Sequence, residues 1–139
     1  MATATGKVRR FAAEDVADWY QAAGAEMALG DVLETSNSGS MSVGFARYRK
    51  GAANDWTVTY DEALVITRGV FTVDSEDGPR TANAGEVIFL TEGANVTYRA
   101  EEDTELAYVT YPHWYDATRN SDLAYQLDGF HPADPPILD

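Results

Sequence analysis

From residue 25 to residue 111, short runs rich in Val, Thr, Tyr and Phe recur, each closed by a turn signal. Met27 to Thr35 gives way to Ser36-Asn37-Ser38-Gly39, Met41 to Tyr48 to Lys50-Gly51, and Trp56 to Tyr60 to Asp61-Glu62. Leu64 to Thr67 stops at Gly69, Val70 to Val73 at Asp77-Gly78-Pro79, and Val87 to Leu90 at Glu92-Gly93. Val96 to Arg99 and Leu106 to Tyr111 complete the series. Many short strands at close spacing, with Gly and Pro between them, predict an all-β antiparallel sandwich or barrel. Before them, Val16, Trp19, Tyr20 and Ala23 fall at helical spacing, with acids ahead and Gly24 behind. That spacing predicts a short amphipathic helix over 12–23, packed outside the sheet with Trp19 and Tyr20 as its anchors.

The segment from Pro112 to Asp139 has no such period. It carries Trp114, Tyr115, Tyr125 and Phe130 among Asp, Asn and Pro, and Asp134-Pro135-Pro136 cannot continue regular structure. Free tails are poor in aromatics, so this one is expected to lie on the barrel or on a neighbouring subunit. A chain of 139 residues suits one domain, with a barrel core at about 25–114 and an extension at 115–139.

Charge narrows the partners. Acids outnumber bases 23 to 10, a formal net charge of −13, which disfavours nucleic acid and anionic membrane surfaces. After Ala100, nine acids face Arg119 alone, either as a solvated face or as a docking surface for a basic partner. No cysteine is present, so disulfides, thiolate metal sites and cysteine nucleophiles are excluded. No apolar run reaches the ~20 residues of a membrane span. Met1 to Gly6 is small and polar rather than signal-like, so a cytoplasmic location is expected.

Two motifs carry a resemblance. Glu62 is followed by six residues and Gly69; sixteen residues later comes Gly85, then Thr91-Glu92-Gly93. This pattern resembles the two motifs of the cupin superfamily. The places of the family's metal-binding histidines fall near Trp56 and Val58 and at Val96, so all three imidazoles are missing. Trp56-Thr57-Val58-Thr59-Tyr60-Asp61-Glu62 and Tyr108-Val109-Thr110-Tyr111-Pro112-His113-Trp114 resemble, more narrowly, the ethanolamine-utilisation protein Q (EutQ-like) cupins. The resemblance covers roughly Met41 to Trp114. It implies a double-stranded β-helix, or jelly-roll barrel, usually as a homodimer. It also associates the chain with an acetate-kinase activity. For that activity no G-x-x-x-x-G-K-[ST] loop is present, and the acidic surface suits ATP poorly.

With period-two alternation, an inward Glu62 brings Tyr60, Val58 and Trp56 onto its face unless a bulge intervenes, and Tyr98 onto the face of Val96. A carboxylate among aromatics should have a raised pKa and serve as general acid or base. The competing reading has Glu62 cap a barrel end or pair with Arg47 or Arg68. Tyr60 and Tyr98 are candidate donors to an oxyanion, or satisfied core tyrosines. Trp56, Val58, Arg47, Val96 and Tyr108 complete the expected substrate contacts. Arg47 would clamp an anion if inward, but outward is the commoner case. His113 and His131 lie outside any ligand spacing, so no metal or other cofactor is expected; a metal held by Glu62, His113 and a tail acid lacks support. Three functions stay open: metal-independent proton transfer of the isomerase, lyase or cyclase type on a small organic molecule; small-molecule binding without catalysis; and acetate-kinase-like transfer by analogy.

Overall fold

Strict alternation of buried and half-buried side chains runs through Ser42–Tyr48 and recurs in the neighbouring strands, as a sheet with one face on the core requires. The computed structural model describes residues 6–138; Met1 to Thr5 of the polar start, and Asp139, lie outside them. The strands are β1 (Tyr20–Ala22), β2 (Met27–Leu33), β3 (Ser42–Tyr48), β4 (Ala53–Thr57), β5 (Asp61–Arg68) and β6 (Val70–Asp74). They continue as β7 (Arg80–Asn83), β8 (Val87–Leu90), β9 (Asn95–Ala100) and β10 (Thr104–Tyr111). Helix α1 (Trp114–Arg119), a 3-10 segment (Ala124–Gly129) and β11 (Phe130–Pro132) follow.

Two antiparallel sheets face each other. One has seven strands in the order β11-β1-β2-β3-β10-β5-β8, the other four in the order β4-β9-β6-β7. This is the expected cupin barrel. Phe71, Ile66, Met27 and Val58 lie fully buried between the sheets, and Phe71 packs edge-on to Tyr48 at 4.9 Å between ring centres. Such burial is the main source of the fold's stability. The first-motif spacing ends where it does for a local reason: Gly69 has φ 90°, and a Cβ there would run into the Asp103 carbonyl.

The N-terminal helix is far shorter than its spacing suggests. Only Ala13–Asp15 turn, as 3-10 helix, with Asp15 Oδ2 accepting from Ala12 N at 2.7 Å. The remainder extends, because β1 pairs with β11 (Ala22 opposite Phe130) and with β2 (Tyr20 opposite Leu29). Trp19 and Tyr20 accordingly leave the core: Tyr20 is exposed, and Trp19 lies under the Arg47 guanidinium. Strands β1 and β11 therefore lie outside the expected core of 25–114 yet belong to its larger sheet. The aromatic tail folds onto the barrel. Its Gln126 side chain accepts from Thr57 N at 2.8 Å and donates to Thr57 O at 3.1 Å, in the manner of a neighbouring strand.

Candidate functional site

Where the chain passes from β4 in one sheet to β5 in the other, the alternation does not break. Trp56, Val58, Tyr60, Glu62, Leu64 and Ile66 are all buried, and the residues between them are not. No bulge intervenes, so one stretch of sequence delivers an indole, a phenol and a carboxylate to the same interior. Tyr98 arrives from β9, opposite Asn54 on β4 and Val73 on β6.

Hydrogen bonds fix these groups. Tyr98 Oη donates to Glu62 Oε1 at 2.7 Å, joining the two sheets through the barrel. Trp56 Nε1 donates to Tyr60 Oη at 2.8 Å. Tyr48 Oη donates to Asn54 Oδ1 at 2.9 Å. Among the described residues no group donates to Glu62 Oε2 and none accepts the Tyr60 proton. Glu62 is 7% exposed and lines a cavity of about 40 Å³ together with Tyr60, Trp56, Tyr98, Trp114 and Phe130. One carboxylate oxygen is thus held and the other is available, and a phenolic O–H stands in the same cavity wall.

Burial raises the Glu62 pKa to about 7, against the lowering effect of the Tyr98 hydrogen bond. The carboxyl therefore exchanges its proton near neutrality, as a general acid or base must. Burial holds Tyr60, Tyr98 and Tyr108 neutral, their pKa values well above that of a free phenol. The Tyr98 proton is engaged by Glu62, whereas the Tyr60 proton has no acceptor among the described residues and is free to be donated to a ligand oxygen.

The remaining expected residues separate. Trp56 and Tyr108 line the cavity. Val58 and Val96 are buried in the core but do not line it. Arg47 is a correction: it faces outward, 3.5 Å from Glu105 and 5.6 Å from the centre of the Trp19 ring, and reaches no interior ligand. Its neighbours Ala46 and Tyr48 take the inward positions. Nor does Glu62 pair with Arg47 or Arg68; its partner is Tyr98.

Three site residues escaped the sequence reading. Asp31 lies opposite Gly44, on the inner face of β2. Trp114 Nε1 donates to its Oδ1 at 2.9 Å, and Tyr108 Oη donates to the same oxygen. Burial raises the Asp31 pKa. Tyr108 reaches it by passing over Gly44, the residue opposite both. Trp114 and Phe130 close one side of the cavity, edge-to-face with each other and with Trp56. Behind them lies an outer groove of about 650 Å³ lined by Asp15, Asp18, Asp31, Glu34 and Asp116, with His113. His113 Nε2 is 2.9 Å from the Ser38 carbonyl, away from Glu62's cavity.

The fold implies a metal at the family's histidine places. Here they hold Trp56, Val58 and Val96, which offer no lone pair to a cation, and Glu62 stands alone. Among the described residues no three His, Cys, Asp or Glu side chains are placed so that they could hold a metal ion. The donor set does not fit a metal. No helix among them is long and apolar enough to cross a membrane.

The family model of ethanolamine utilisation protein EutQ matches residues 6–117. The acetate kinase EutQ of Escherichia coli (strain K12) is 29% identical over 84 residues, 60% of this chain and 36% of that protein. The chain thus spans little more than a third of the length of that relative. Among solved structures, ethanolamine utilization protein Q of Salmonella typhimurium LT2 aligns with a TM-score of 0.60 and 28% identity, over 63% of this chain and 70% of that one. Ectoine synthase from P. lautus aligns with a TM-score of 0.67 over 95% and 94%, at 17% identity, which is a likeness of fold.

Proposed function

Because the chain belongs to the ethanolamine utilisation protein EutQ family, with side chains at the cupin histidine places that do not fit a metal, we propose that it is a metal-independent acid–base enzyme acting on a small organic molecule inside the barrel. One observation carries the reading: the unpartnered Oε2 of buried Glu62 shares a cavity with the unspent Tyr60 hydroxyl. Glu62 takes a proton from, or gives one to, a substrate carbon, and Tyr60 donates a hydrogen bond to the oxygen on which charge develops. The Tyr98 bond aims Glu62, and Trp114 and Phe130 keep water out. Isomerisation, elimination and cyclisation all use this kit.

The test is solvent exchange. Small carbon acids incubated with the protein in deuterium oxide should lose a C–H signal by proton NMR, with a rate that inflects near pH 7. Exchange that proceeds unchanged in Glu62→Gln would remove Glu62 from the mechanism. A binding function without catalysis is the second reading, favoured by the tight, mostly aromatic walls; it predicts saturable binding with no exchange. The relatives' acetate-kinase activity has less support, since no Lys, Arg or His lines the cavity; magnesium-dependent ATP turnover would speak for it.

The proposal includes a homodimer. On the outer face of the larger sheet, Val87, Val65, Ala107 and Phe45 form one apolar row, and Phe89, Ala63, Val109 and Val43 the next. Phe89 is 63% exposed. In a chain of net charge −13 these two rows hold no acid, so two copies meet there with least repulsion. Sedimentation should give twice the 15.2 kDa chain mass, and Phe89→Glu should shift it to one chain. A wild-type mass of one chain would refute the dimer.

A further inference from the structure

We infer that the ligand of the Glu62 cavity is a small organic cation, an ammonium compound rather than a carboxylate or phosphate. The inference rests on the reading of that cavity as the functional site and adds the class of molecule it takes. Among the described residues Glu62 is the one charged side chain in the wall, and its Oε2 has no partner. An anion placed there would lie buried beside a carboxylate with no opposing charge, whereas an ammonium supplies the missing partner. The surrounding surface agrees. Trp56, Trp114, Phe130 and Tyr60 line the same space, and the faces of such rings attract cations. The approach agrees as well: Trp114 and Phe130 also form a wall of the outer groove, which carries five carboxylates against His113. A groove of that sign beside the cavity raises the local concentration of cations and repels phosphates.

Size follows from volume. A cavity of about 40 Å³ has room for roughly three waters, hence for a ligand of roughly three to five non-hydrogen atoms. The titratable groups facing Glu62 are Tyr48 of β3, Tyr60 between β4 and β5, Tyr98 of β9 and Tyr108 of β10, with Asp31 of β2 behind Tyr108. Burial keeps these phenols neutral, so Glu62, raised to about 7, is the group facing the cavity whose change of charge the test reads. An ammonium binds the ionised Glu62 and expels its proton. Its affinity therefore rises up to about tenfold per pH unit below pH 7 and levels above. An anion shows the reverse.

Isopropylammonium, acetate and acetamide each have four non-hydrogen atoms, three of them attached to one central carbon. Titrated into the full chain at pH 6 and pH 8, they are followed by the indole N–H resonances of Trp56 and Trp114, with outward Trp19 as internal reference. The expected result is that isopropylammonium shifts the first two only, tighter at pH 8 by about tenfold, and that Glu62→Gln weakens it at least tenfold. Acetate binding more tightly than isopropylammonium, and lost in Glu62→Gln, would overturn the cation class while keeping the site. Shifts that survive unchanged in Glu62→Gln would overturn the Glu62 site itself. No response to isopropylammonium up to 100 mM, about the weakest affinity a four-atom ligand should show, would also reject the cation class.

Discussion

Glu62→Gln should lower turnover by a factor of about 10²–10⁴ and, above pH 7, make the protein more stable than the parent. The two effects have one cause. Burial raises the Glu62 pKa from 4.5 to about 7, because the ionised form is denied water. Between those values the folded chain holds a proton that the unfolded chain has released. Stability contributed by this group is thus complete below about pH 4.5 and falls as pH rises, until about pH 7. A shift of that size corresponds to about 3 kcal/mol. Glutamine keeps an acceptor for Tyr98 and cannot ionise. Urea midpoints of parent and variant should nearly coincide at pH 4.5 and separate at pH 8, with the variant higher. Parallel curves at both pH values would mean that Glu62 is not the buried titrating group.

Gly44→Ala should be among the most damaging single-methyl changes in the barrel. Gly44 lies between Tyr108 on β10 and Asp31 on β2, and the Tyr108 ring crosses it to reach the Asp31 carboxylate. A Cβ at Gly44 would sit inside contact distance of the Tyr108 hydroxyl and ring and of the Gly30 carbonyl. The ring cannot retreat, since it is buried, and the carbonyl belongs to a paired strand. Overpacking of this kind costs about 1–3 kcal/mol. Losing the hydrogen bond to a charged group adds about 1.5–3 kcal/mol. The sum, about 2.5–6 kcal/mol, should lower the melting temperature by about 10–25 °C. Gly39→Ala, with nothing within 4 Å of its added methyl, is the control and should stay within ~0.5 kcal/mol of the parent. Equal melting points for the two variants would contradict the packing described.

The half of the site between Trp56 and Glu62 was legible in the sequence, because side-chain period two survives the change of sheet and needs no knowledge of what lies opposite. Tyr98 was legible for the same reason, though not its use: the bond to Glu62 depends on how two sheets are stacked. Arg47 was illegible because β3 inverts the usual pattern. Its inner residues Ser42, Gly44, Ala46 and Tyr48 are small or polar, while Val43 and Phe45 face out. The inner side leaves space for Tyr108 and the cavity, and the outer side belongs to the apolar face. Asp31, Trp114 and Phe130 come together through β1–β11 pairing and the Gln126 contacts, across 99 positions of chain from Asp31 to Phe130. No local spacing encodes that. The helical period at Val16 to Ala23 misled for the same reason: pairing with β2 and β11 decided the conformation of β1, not its own side-chain spacing.

The pairing of Tyr20–Ala22 with Phe130–Pro132 bears on where this family's unit should be cut. The family model stops at residue 117, thirteen positions before the strand that carries Phe130. A protein trimmed at that boundary would keep Glu62, Tyr60 and Tyr98 and lose the clamp on Thr57 and one wall of the cavity. Its β1 would become a bare sheet edge, open to the first extended peptide it met. Activity or ligand surveys made on such a piece would sample an open, wetter barrel and would undercount small ligands that the intact chain retains.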